Sequence, residues 1–197
     1  MRRIIVMGSA AIVLGLAAIT SGPGTALLGA TNHTSPHMVH VDGSLADGFA
    51  SWGKLKGAST LIVVGTAGAQ QTTVNSYGEP WTATTVQVDR ALKGAGTGPQ
   101  TVLIRQIGGA ASNGVWSMEG FPLLTPSSRY LLFLTPSPVS GQFYPVGGPQ
   151  GAFPVSATGA ASSYSEDAAT VGMSLHGRAI DQVIQDIQDA PDMAARP

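Results

Sequence analysis

Residues 81–107 read WTATTVQVDRALKGAGTGPQTVLIRQI. From Trp81 to Leu92 the residues alternate. Thr84, Val86 and Val88 share one side while Gln87 and Asp89 take the other, the period of two that a half-exposed strand imposes. β-Branched residues dominate the stretch, as suits a pleated surface. Lys93-Gly94-Ala95-Gly96-Thr97-Gly98-Pro99 is a turn by composition, and Gln100–Ile107 resumes the strand pattern. Strands joined so briefly form an antiparallel pair, because a parallel crossover needs about a dozen residues or more.

Working outward, Thr60–Thr66 (TLIVVGT) and Arg129–Thr135 (RYLLFLT) are short continuous apolar runs. Such runs mark strands buried on both faces, and Pro136-Ser137-Pro138 ends the second. Gln142–Val146 and Gly151–Val155 are two more short strands, joined by Gly147-Gly148-Pro149. Gly108–Gly120 reads as a long loop carrying Trp116. Tyr77 and Trp81 read as loop residues leading into the alternating strand. Before the strands, Ser44 is a plausible N-cap for a short helix, with Leu45, Phe49, Trp52 and Leu55 at helical spacing; Lys54–Gly57 should end it. After them, residues 174–189 form the clearest helix. Ile180, Val183, Ile184 and Ile187 make one apolar stripe, polar residues cover the rest, and Pro191 stops it. The expectation is a mainly β, α+β fold: a small antiparallel OB-like β-barrel or sandwich. A short N-terminal helix and a C-terminal amphipathic helix should pack on it. Residues 44–190 would be this single domain and 191–197 a tail.

The chain has 197 residues, 43% of them hydrophobic and only 11% charged, against about 25% charged in an ordinary domain. One domain of this size buries a core without staples. Cysteine is absent, which excludes disulfides, thiolate zinc sites, cysteine nucleophiles and a lipid-modified cysteine. Arg2-Arg3, the apolar run Ile4–Ile19, the helix-breaking Thr20–Gly24 and the small residues Ala26 and Ala30 are the three parts of a signal peptide. Residues 1–30 therefore read as a secretory segment. Cleavage after Ala26 or Ala30 would start the mature chain at Leu27 or Thr31; the alternative is a retained signal anchor, the one route to a membrane. Without Arg2 and Arg3, eight basic residues face 11 acidic ones. No clustered basic face for nucleic acid is present. The Ala/Gly/Thr-rich, Lys-poor usage suggests a high-GC bacterial source.

The phrases ASTLIVVGTAGA (58–69), TTVQVDRALKG (84–94), TVLIRQIGG (101–109) and SSRYLLFL (127–134) resemble the netrin-like or TIMP-like module, an OB-type five-stranded barrel. Small secreted bacterial proteins share this pattern, and the likeness spans about residues 58–156. The matching residues are core apolars and turn glycines. The resemblance therefore implies a fold and no functional residue by position. Metalloprotease inhibitors of that family reach zinc through an N-terminal cysteine, which this chain lacks.

His33, His37 and His40 lie in one segment with Met38, a donor set that copper or zinc accepts. Pro36 interrupts any helix that would align them, and ordering a loose segment costs chain entropy. Residues 31–43 therefore read first as a flexible tether and second as a metal site. His176 with Asp181 or Glu166 lacks a nucleophile elbow. Gly94–Gly98 joins strands, where a phosphate loop would open a helix. Asp89, Arg90 and Glu119 are scattered charges. Tyr77, Trp81 and Trp116 are the candidate contact residues, since barrels of this type bind with loops and one exposed face; the alternative is that the tryptophans, Trp52 included, plug the barrel ends. The reading that follows is a secreted or cell-envelope, non-enzymatic binding module. It needs no cofactor, and its partner would be an extracellular protein or glycan. Its rivals are a hydrolase with an unrecognised site and a metal-binding protein using the histidine segment.

Overall fold

The computed structural model describes residues 38–41, 48–94, 101–118, 120–164, 171, 175 and 177–193, all within one compact unit, Ser35–Pro197. Residues 1–30, read above as a secretory segment, and His33, His37, Glu119, Glu166, His176 and residues 95–100 lie outside the described residues. The described elements, in chain order, are β1 (Met38–Val41), α1 (Trp52–Ala58), β2 (Leu61–Val74), β3 (Pro80–Lys93), β4 (Thr101–Ile107), β5 (Gly109–Ala111) and β6 (Gly114–Met118). β7 (Arg129–Pro136), β8 (Gln142–Pro145), a 3-10 turn (Gly148–Gly151), β9 (Ala152–Val155) and α2 (Ile180–Asp189) follow.

The fold is mainly β with two helices, as the patterning requires. β2 pairs β3, β3 pairs β4, β4 pairs β8, β8 pairs β7, and β7 returns to β2. Five strands thus close a ring, an OB-like barrel. Closure removes the sheet edges that would otherwise be unpaired. The barrel is not wholly antiparallel: β4 and β8 run parallel, Leu103 opposite Gln142 and Ile104 opposite Phe143. The connection between them is long enough to reverse direction because it contains β5, β6 and β7. β9 continues the line of β8 along β7, after the 3-10 turn has bulged out of the ladder.

Strand alternation divides the apolar residues into two cores. Leu61, Val63 and Ala67 of β2, Val86 of β3, Val102 and Ile104 of β4 and Tyr130, Leu132 and Leu134 of β7 fill the barrel. Ile62, Val64, Leu131, Phe133 and Phe153 point out of it and are covered by Leu55 of α1 and by Ile180, Val183, Ile184 and Ile187 of α2. Trp52 stacks on Phe133 at 5.8 Å between ring centres and meets Phe153 edge-on. It is a core residue of the outer layer. This is why the β2 and β7 runs are continuously apolar: both sides of each strand are buried.

Several local expectations change. α1 begins at Trp52, with the Ser51 hydroxyl accepting from Lys54 N–H. It starts later than a Ser44 cap would place it and runs through Lys54–Gly57 to Ala58. Its two glycines are sites of close approach. A Cβ at Gly57 would overlap the Met193 backbone, and one at Gly53 the Pro191 carbonyl. The Lys56 ammonium donates to Ala190 O at 2.8 Å, and Met193 N–H donates to Gly53 O at 3.2 Å. Residues 191–193, read as the start of a tail, are thereby laid against α1. α2 starts at Ile180 and not at residue 174, because Gly177 is left-handed (φ +72°) and Ala179 is extended, bridging Ala160. Part of the expected tether is a strand. Met38–Val41 pairs in parallel with Val115–Met118, its alternating valines suiting a ladder. The expected loop 108–120 holds the β5–β6 hairpin, so Trp116 lies on a strand.

Candidate functional site

Each barrel strand places alternate residues inside and outside, and on the side away from the helices no layer among the described residues covers the outer ones. On β3 these are Trp81, Ala83 and Thr85; on β4, Leu103, Arg105 and Ile107; on β8, Gln142 and Tyr144. Trp81 is opposite Ile107 and Ala83 is opposite Arg105. Trp81 and Arg105 are therefore diagonal neighbours on one face, within reach of long side chains. The Arg105 guanidinium carbon lies 4.5 Å from the centre of the Trp81 ring, a cation–π contact. The Tyr144 ring is tilted against Trp81 at 5.9 Å.

Two hollows open beside this cluster and share Trp81 and Arg105. The larger, about 330 Å³, is lined by these two with Gln106, Ile107, Met118, Phe121, Tyr144, Pro145 and Gly148. The smaller, about 60 Å³, lies among Gln71, Thr73, Trp81, Ala83, Arg105 and Gln142. The larger is at the small end of ligand-pocket sizes and has their usual make-up, apolar with a few polar groups. Nε of Arg105 and Oε1 of Gln142 are shut away from solvent and have no hydrogen-bond partner among the described residues. Among the described residues no carboxylate pairs with Arg105, whereas Arg129 pairs with Asp89, Lys93 with Asp192 and Arg178 with Asp186.

A polar network runs from the buried Thr82, Thr84 and Gln106 to the exposed Gln70 and Thr72 at the barrel end and holds the cleft wall. Gln106, buried, donates to Pro122 O at 3.1 Å and accepts from Leu124 N–H at 2.9 Å. Gln70 donates to Leu124 O and to the Thr84 hydroxyl. Thr82, buried, donates to Gly108 O at 2.7 Å and meets the Thr72 hydroxyl at 2.8 Å. These bonds fix the segment around Phe121 and Leu124 across the barrel end. The network's buried members, Thr82, Thr84 and Gln106, are stiff when so paired, because leaving any one of them unpaired is costly. Deeper in, the Thr125 N–H and the Tyr164 hydroxyl both donate to the Tyr130 oxygen. Burial, then the hydrogen bond to Tyr130 and its proximity, push the Tyr164 phenol well above its ordinary value.

The candidate contact residues do not form one group. Trp81 is at the centre of the cleft. Tyr77, 86% exposed, is at the tip of the β2–β3 hairpin, where the Asn75 side chain accepts from Tyr77 N–H and Glu79 N–H. Trp116 is half-buried on β6, its indole N–H donating to Asn113. His40 is on β1, and among the described residues no three His, Asp or Glu side chains gather as a metal site. Asp181 forms a long ion pair with Arg90, 3.9 Å apart on the surface. Arg105, Gln142 and Tyr144 are the site residues that sequence reasoning passed over. The signal for Arg105 was present: it breaks the apolar pattern of Thr101–Ile107 on the outward side. The parallel β4–β8 pairing, which brings in Gln142 and Tyr144, left no local trace. No protein-family model and no curated protein matches the chain.

Proposed function

We propose that the chain acts outside the cytoplasmic membrane as a non-enzymatic binding module whose contact surface is the Trp81–Arg105–Tyr144 cleft. The observation that carries this reading is the aromatic–guanidinium pair placed on an uncovered barrel face and bordering an apolar cleft. A large aromatic with an arginine is the commonest composition of a binding hot spot. The OB-type barrel binds on its second and third strands, here β3 and β4, which carry Trp81 and Arg105. The cleft's described lining holds no carboxylate, imidazole or thiol, so the groups a hydrolase would gather are not collected there. The netrin-like resemblance and the N-terminal secretory pattern agree with an extracytoplasmic setting. No helix among the described residues is long and apolar enough to cross a membrane.

The test is binding by the full chain, read by tryptophan fluorescence and calorimetry, against neutral oligosaccharides, short apolar peptides and alkyl carboxylates. Saturable binding that is lost in Trp81→Ala, with the probe recovered unaltered and the unfolding midpoint preserved, supports the module. Turnover of a probe, or binding equal in both proteins, defeats it. N-terminal sequencing of exported material tests the setting: a start at Leu27 or Thr31 is expected, and intact Met1 in the cytosol is the contrary result.

A further inference from the structure

Resting on the binding reading above, we propose that the cleft takes a small monocarboxylate with an apolar body. The carboxylate would sit on the Arg105 guanidinium and the body along Ile107, Phe121 and Tyr144. Arginine carries five donors in a planar fork and stays charged throughout the working pH range. Stacking on Trp81 uses its face and leaves the fork's edge. Its Nε–H, closed to solvent, has no partner among the described residues, and no described carboxylate neutralises the guanidinium. A buried donor on a charged group is stable only when it meets an acceptor, and a two-oxygen anion meets two donors of the fork at once.

The rest of the cleft narrows the ligand. Its other lining residues carry no charge and are mostly apolar: Ile107, Met118, Phe121, Tyr144 and Pro145. A single cation matches a single negative charge; a phosphate carries about −1.5 to −2 at neutral pH and would leave charge uncompensated beside apolar walls. Gln142, next to Arg105 in the smaller hollow, has an amide oxygen that is closed to solvent and without a partner among the described residues. Half a turn about its last bond presents the NH2 instead, a further donor for the anion.

Octanoate is the probe, with octanamide as its neutral counterpart and octyl phosphate as the rival anion, titrated into the full chain. Octanoate is expected to bind at least about tenfold more tightly than octanamide, the scale of a charge-assisted hydrogen bond, and more tightly than octyl phosphate. Arg105→Gln should bring the acid and the amide to parity. Gln142→Glu, which supplies an internal counter-ion, should weaken octanoate by about tenfold or more. Unfolding midpoints near that of the parent keep these variants interpretable. Equal binding of acid and amide, a preference that survives in Arg105→Gln, or tighter octyl phosphate overturns the assignment. So does an octanoate preference that arises only in Glu119→Gln, since Glu119 would then be the guanidinium's own partner. Oligosaccharide binding through Trp81 without octanoate binding would sink this inference and leave the module standing; enzymatic turnover would sink both.

Discussion

The two sides of the barrel use the same strand geometry for different ends. Under the helices, outward residues are Ile62, Val64, Leu131 and Phe133, all buried in the second core. On the open side, outward residues are Trp81, Ala83, Leu103, Arg105, Gln142 and Tyr144, none of them fully buried. The covered side therefore gains stability from both faces of its strands and the open side from one. What remains on the open side, an aromatic ring under an unpaired guanidinium, adds little to folding and is free to meet a ligand. In this molecule the second layer, more than the barrel, separates the covered side from the side that carries the candidate site.

The strongest way to break this contrast is to attack the covered side. The Ile180→Asp/Ile184→Asp pair should abolish folding, since it buries two unpaired charges. Ile184→Ala alone should cost about 2–5 kcal/mol in urea unfolding, a large share of an ordinary domain's ~5–15 kcal/mol. An unchanged midpoint would mean that α2 is a docking helix and the outer core is not a core.

A subtler probe is Gly57→Ala. Helix propensity favours alanine by up to about 1 kcal/mol, yet the added methyl meets Met193 backbone, which cannot swing aside as a side chain can. The net effect should be a loss of about 1–3 kcal/mol, with faster amide exchange at residues 190–193. Stabilisation would show that the C-terminal segment is not held against α1.

Tyr164 tests the inner core by pH. Its folded phenol ionises above its unfolded value near 10, so above that pH the unfolded state loses protons first. Stability should therefore hold below about pH 10 and fall as pH rises beyond it. Tyr164→Phe should lessen that alkaline fall while lowering neutral-pH stability slightly through the lost Tyr130 hydrogen bond. Parallel stability–pH curves for the two proteins would refute the burial of the phenol.

The smallest effect is expected on the open side, where Arg105→Gln should shift stability by no more than about 0.5–1 kcal/mol, the worth of an exposed cation–π contact. A loss as large as that of Ile184→Ala would erase the contrast between the two sides.

How much of this was legible in the sequence depends on the range of the interaction involved. Alternation marked β3 and β4, and unbroken apolar runs marked β2 and β7, because each strand's burial is written in its own side chains. The helical stripe of α2 was equally plain, but its start was not: Gly177 and the extended Ala179 answer to a bridge with Ala160, a partner distant in sequence. β2 extends to Val74 past a bulge at Gly68-Ala69 and through Gln70-Gln71, residues with no strand preference, because β3 resumes the ladder at Thr84 opposite Gln70. The β5–β6 hairpin turns on Ser112-Asn113, with Gly114 already in β6 opposite Ala111, so no Asn-Gly turn pair marks it. Of the site, Trp81 was readable as an aromatic contact residue, but as part of a loop, whereas it is the second residue of β3, paired with Ile107. Its partners were not, because Tyr144 and Gln142 arrive through a parallel pairing that no local pattern encodes.

The seating of residues 191–193 on α1 has a consequence in time. Lys56 and the Ala190 carbonyl it holds are 134 residues apart. At a synthesis rate of about 5–20 residues per second, α1 emerges some ten seconds or so before the segment that completes it. The inner barrel gains its last ring strand with Gln142–Pro145, while Leu55, Phe133 and Phe153 must wait for the end of the chain. Assembly is thus ordered, the inner core first and the outer layer last. A nascent chain interrupted between Pro145 and Ile180 would carry all five ring strands with one apolar flank still bare.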